Sequence, residues 1–143
     1  MSPTNPTISA FDFVDALGRK VADKKMFPNL THIVVTGHSA GGQFATRYEM
    51  ANKVDGTVKG VTITYVVANP SSYAWPAAVR PLPVGNADPA TAVQEALGPN
   101  GEKVNSNFTY GPFDSTKVPR YNHWPSGLED RAGYTAQMSD DQL

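Results

Sequence analysis

The sequence predicts an α/β fold, with parallel strands flanked by helices. Three observations carry this reading. Helix and strand patterns alternate strictly over residues 8–70, the order that builds a parallel sheet. The first strand pattern, Ile33-Val34-Val35, is an unbroken β-branched run rather than an alternation, which suits a parallel strand buried on both faces. A glycine-rich turn, Gly37 to Gly42, joins that strand directly to the next helix pattern.

Ser9 reads as a helix N-cap, with Asp12 three residues on in a capping-box relation. Ile8 and Phe13 occupy the two positions of a hydrophobic staple. Val14, Leu17 and Val21 then form one apolar stripe on a helix that ends before Phe27-Pro28. A strand is expected over Thr31 to Thr36, a helix over Gln43 to Ala51 with Phe44, Ala45 and Tyr48 on one side, and a second strand over Val61 to Ala68.

Past Asn69-Pro70 the pattern lapses. Prolines at 70, 76, 81, 83, 89, 99, 112, 119 and 125 leave room for one short helix near Thr91 to Leu97, and no strand is predicted there. The chain reads as one domain over residues 1–143. Its core spans 8–70, and an irregular, lid-like region rich in Pro and aromatics follows over 71–143. Tyr73, Trp75, Tyr110, Phe113, Tyr121 and Trp124 either line a substrate pocket or pack that region on itself.

Composition narrows the chemistry. A chain of 143 residues is long enough to bury a core without metal or disulfide staples. It has no cysteine, which removes thiol nucleophiles and Cys-ligated zinc, and no cofactor is expected. A net charge of −1 with interspersed charges offers no basic stripe for nucleic acid. No apolar run approaches the roughly 18 residues needed to span a bilayer. Met1 to Pro6, polar with two prolines, does not read as a signal peptide, and the compartment is not assigned. The sequons Asn29-Leu30-Thr31 and Asn107-Phe108-Thr109 decide nothing.

The chemistry-bearing motif is Gly37-His38-Ser39-Ala40-Gly41. A serine hydroxyl needs a base to take its proton and donors to hold the oxyanion that forms. A G-x-S-x-G turn between strand and helix projects the serine from the tip of a sheet. Ser39 is the candidate nucleophile. The Ala40 amide, in the first turn of a helix, is the candidate oxyanion donor, and Gly37 and Gly41 would permit the turn. The spacing Gly37 to Gly42 also matches a phosphate-cradling loop, but Gln43 and Phe44 stand where Lys and Ser or Thr are required. His38, beside the nucleophile, points away from it. His32 stands at the far end of the strand.

The stretch Thr31 to Phe44, followed by Val66-Val67-Ala68-Asn69-Pro70-Ser71-Ser72-Tyr73, resembles α/β-hydrolase-family proteins of fungi and bacteria. The stretch Tyr121 to Tyr134, which opens Tyr121-Asn122-His123-Trp124-Pro125-Ser126-Gly127-Leu128-Glu129-Asp130-Arg131, is similar to a segment preceding that family's next core strand, and the resemblance runs over residues 8–143. It implies a partial α/β-hydrolase fold and esterase-like acyl transfer on a small ester or related carbonyl substrate.

In that fold the acid and histidine follow the serine in that order, after further strands. His123 is the one histidine after the motif and a weak candidate base; the acids that precede it past Pro70 are Asp88, Glu95, Glu102 and Asp114. Asp114 stands too close to His123 for a strand, helix and strand between them, and the stretch after Asp88 and Glu95 is rich in Pro, Gly and Asn. The expectation is therefore an internal piece of a longer hydrolase, and the resemblance implies that Ser139 to Leu143 opens the helix toward an absent acid-bearing strand. Such a piece would catalyse weakly and self-associate through exposed sheet edges. The competing expectation is a non-catalytic binding or interaction protein that keeps the turn as scaffold.

Overall fold

A computed structural model describes residues 8–85, 108–139 and 142–143. The expected helix near Thr91 to Leu97, the acids Asp88, Glu95 and Glu102, Asn107, and the Asp140-Asp141 step lie outside the described residues. The fold is mixed α/β, with a parallel strand pair, an antiparallel pair and two α-helices among the described residues. The chain forms two compact units. One comprises Met1–Pro76 with His123–Leu143, the other Ala77–Asn122. Residues 123–143 thus fall in the same compact unit as the helices and the parallel strand pair.

In the first unit, helix α1 spans Ala10–Val21. Ser9 caps it as expected: its Oγ accepts from Asp12 N at 3.2 Å, and its own N donates to Asp12 Oδ2 at 2.7 Å. The Ser9 amide and hydroxyl hold the Asp12 carboxyl below the ordinary carboxylate range. The staple positions Ile8 and Phe13 are both exposed. The helix ends earlier than expected, because Ala22 and Asp23 close it with bonds back to Gly18 and Lys20, and turns follow to Leu30. Lys24 Nζ then donates to Leu30 O and Gly60 O, tying together the loops that precede the two strands.

Strand β1 (His32–His38) pairs in parallel with β2 (Thr62–Ala68), from His32 opposite Thr62 to His38 opposite Ala68. Helix α2 (Ala40–Ala51) makes the crossover and packs on both strands. Burial alternates along β1. Ile33, Val35 and Gly37 are half-buried, whereas Val34 is 58 % exposed and Val66 of β2 is 47 % exposed. The expectation of a strand buried on both faces is thus corrected. Helix α2 packs on the strand pair, and the exposure of Val34 and Val66 shows that the other face is not buried among the described residues. The α1 stripe Val14, Leu17 and Val21 lines an apolar cavity of about 340 Å³ with Ile33, Val35 and Ile63.

The core is small and partly polar. Val54, Ala45, Ala51 and Tyr48 are buried beside a buried carboxylate, Asp15 of α1. A buried carboxylate must be hydrogen-bonded to be tolerated. Asp15 accepts from Tyr48 Oη at 2.9 Å, Tyr134 Oη at 2.6 Å and Lys53 N at 3.3 Å. Phe11 meets Phe44, Tyr48 and Tyr134 edge-on, with centroids at 5.0, 5.6 and 5.3 Å. Tyr134 arrives on a short 3₁₀ turn, Gly133–Gln137.

The second unit contains two strands that the sequence did not announce, β3 (Arg80–Pro83) and β4 (Phe108–Gly111), paired antiparallel. Pro81 and Pro83 hide β3 from pattern reading. Because they alternate, their missing N–H groups fall along one edge of the strand, where proline is tolerated. Arg80 is buried here, donating to Ala77 O, Val79 O and Tyr121 O and lying over the Tyr121 ring. Phe113 packs edge-on against Tyr121, so these two aromatics pack the unit on itself.

Candidate active site

β1 delivers its last residue, His38, directly to Ser39, and α2 starts at Ala40. Ser39 has φ 54° and ψ −117°. That is a positive-φ backbone conformation that a residue with a Cβ rarely adopts, and its ψ lies far from the left-handed helical value. The surroundings hold it there. Ser39 N donates to Ala68 O at the end of β2 (3.1 Å), and Ser39 O accepts the first helical bond from Gln43 N (3.0 Å).

The glycines explain how the chain turns so tightly. A Cβ on Gly37 would lie 2.1 Å from Gly41 O and 2.3 Å from Gly41 C. A Cβ on Gly42 would lie 2.8 Å from Ala68 O and 3.3 Å from Pro70 Cα. At Gly41 a Cβ would meet nothing within 4 Å among the described residues. The motif assigns the turn to Gly37 and Gly41. Packing puts the steric demand on Gly37 and Gly42 instead, because the strand-to-helix step brings α2's first turn against the ends of both strands.

Ser39 and Ala40 are exposed, and the Ser39 hydroxyl makes no capping bond to α2. The first-turn amides of a helix have no intrahelical acceptor and sit at its positive end, so the Ala40 N–H can serve an oxyanion beside Ser39. Among the described residues, no histidine or carboxylate is hydrogen-bonded to Ser39 Oγ. His38 is exposed at the end of β1. His32 begins the same strand, about 20 Å from the turn at the usual rise per residue.

His123 is half-buried in the same unit as Ser39. Its Nδ1 lies 2.7 Å from Asp130 Oδ2 and its Nε2 lies 3.9 Å from Glu129 Oε2. Asp130 has φ 52°, and the loop is closed by Trp124 N donating to Glu129 O at 2.7 Å. Sequence reasoning misses this pairing, because the serine–acid–histidine order points to acids that precede His123. The adjacent Glu129-Asp130 step, a few residues downstream, is the signal that could have found it. Asp114 instead binds Thr116 and Lys117, and the Thr116 hydroxyl and amide hold its carboxyl below its ordinary value.

Arg47 of α2 is a second feature that pattern reading passes over. It is 8 % exposed, and donates from Nε to Pro125 O (3.1 Å), from Nη1 to Gln43 O (2.9 Å) and from Nη2 to Ser72 Oγ (2.8 Å). Burial alone pulls its pKa below the ordinary guanidinium value. Among the described residues, no group of three or more His, Asp or Glu side chains could hold a metal ion, and no helix is long and apolar enough to cross a membrane. Comparison with protein-family models, curated proteins and solved structures returns no match for this chain.

Proposed function

We propose that the chain is a serine hydrolase of the α/β-hydrolase type, acting on a small ester or related carbonyl compound through Ser39. The observation that carries the reading is the backbone of Ser39 itself. A non-glycine residue is held at φ 54°, ψ −117° between a parallel strand and the helix that follows it. Strain of this kind costs of order 1–3 kcal/mol and persists where a site uses it. A strained strand-to-helix turn is the setting in which a serine nucleophile is presented. Ser39 Oγ would attack the carbonyl, and the Ala40 amide would hold the oxyanion.

A fluorophosphonate probe followed by peptide mapping tests this. Labelling at Ser39 that vanishes in Ser39→Ala supports the reading, and labelling elsewhere or none at all defeats it.

A second reading has its own observation. No base is hydrogen-bonded to Ser39 Oγ among the described residues, which favours a non-catalytic binding protein that retains the turn as scaffold. Turnover of a short p-nitrophenyl ester separates the two. A hydrolase loses it in Ser39→Ala, whereas a binding protein shows no Ser39-dependent turnover in either form.

A further inference from the structure

We propose that the cavity beside Arg47 is a binding site for a small aromatic carboxylate, separate from the serine turn. The cavity measures about 450 Å³ and is lined by Phe11, Phe44, Trp124 and Tyr134 together with Arg47. All of these belong to the first unit. The size is right for a one-ring ligand, and aromatic walls with one well-placed charge are the usual composition of such sites.

The charge is what makes the cavity selective. Arg47 is almost wholly buried, yet it donates to two backbone carbonyls and one hydroxyl, all neutral. Among the described residues no carboxylate pairs with it. A buried cation is costly unless an anion compensates it, and these three contacts engage each nitrogen once, leaving one N–H on Nη1 and one on Nη2 of its five donors. A carboxylate matches that fork with two parallel bonds. The N-terminal end of α1 (Ser9 to Phe11) also lines the cavity and adds the positive end of a helix dipole. Asp12, the acid of that first turn, is engaged by Ser9. The ring of the ligand would lie against Phe11, Phe44 and Trp124, whose edges and faces suit offset or edge-on stacking.

Phenylacetate and its neutral isostere phenylacetamide decide the matter on the full chain. Titration is read by calorimetry and by fluorescence in a Trp75→Phe background, where Trp124 is the remaining indole. The acid is expected to bind saturably and about tenfold or more tighter than the amide, the range of a charge-assisted bond. Arg47→Gln should bring the acid down to the level of the amide and leave the amide unchanged, with circular dichroism checking the fold. Ser39→Ala should bind as the parent does, so that failure of this site and failure of the hydrolase reading are seen separately. Equal affinity for acid and amide, or no saturable binding of the acid in the millimolar range, overturns the proposal. So does a folded Arg47→Gln variant that still prefers the acid. If Arg47→Gln fails to fold, the acid–amide comparison on the parent chain decides the proposal either way.

Discussion

Tyr134 Oη donates a 2.6 Å hydrogen bond to Asp15 Oδ2, joining α1 to a segment 119 residues further along the chain. Tyr48 of α2 donates to the other oxygen of the same carboxylate at 2.9 Å. One buried anion thus ties α1, α2 and the returning 3₁₀ turn together, in a core whose buried apolar side chains are mostly small.

Removing that anchor should be costly. Asp15→Ala leaves two tyrosine hydroxyls without their acceptor, and is expected to destabilise the chain by about 3 kcal/mol. Tyr134→Phe removes one charge-assisted bond and should cost about 2 kcal/mol. Urea denaturation at neutral pH, with an unchanged slope, checks both.

Alkaline pH should act on the same tyrosines. Burial first, and the bond to Asp15 second, raise the Tyr48 and Tyr134 phenols well above their ordinary value, and burial pushes Tyr65 up to about 12. Groups with raised folded pKa values contribute stability that is complete below the unfolded phenol value of about 10. That contribution is lost as pH climbs through the folded values, because the folded chain then holds more protons than the unfolded one. Stability is expected to fall from about pH 10 upward, with Tyr65 contributing its loss up to about pH 12. Denaturation midpoints measured alongside tyrosinate absorbance test this, and Tyr134→Phe should flatten the slope.

The turn glycines should not be equivalent. Gly37→Ala drives a methyl into the Gly41 carbonyl and is expected to cost about 3 kcal/mol or to prevent folding. Gly41→Ala meets no described residue within 4 Å, lies on a helix, and should be neutral or stabilising by up to about 1 kcal/mol. Thermal melts of the two variants side by side check the difference.

Ser39 should release strain when its side chain is removed. Ser39→Gly permits φ 54° without a Cβ penalty, and is expected to stabilise the chain by about 1 kcal/mol. Calorimetry should show a higher Tm for the variant, together with loss of probe labelling.

Much of the first seventy residues is legible in the sequence because it rests on local physics. The Ser9–Asp12 capping box, β1, α2 and β2 follow from hydrogen-bonding reach and apolar patterning over a few residues, and each forms within a few residues of its expected ends. The glycine-rich turn is visible for the same reason. The strands β3 and β4 are not, since two alternating prolines mask β3 and its partner lies beyond a long intervening segment.

By itself, then, the sequence determined the helix–strand alternation, the parallel pairing it implies and the position of Ser39 at the strand-to-helix step. Tertiary structure alone decided the rest. It chose Gly42 over Gly41 as the packed glycine, buried Asp15 between two tyrosines and enclosed Arg47 with no anion beside it among the described residues. These outcomes depend on which distant backbone or side chain arrives nearby. A steric clash and a buried charge are properties of neighbours in space, and no spacing along the chain encodes them.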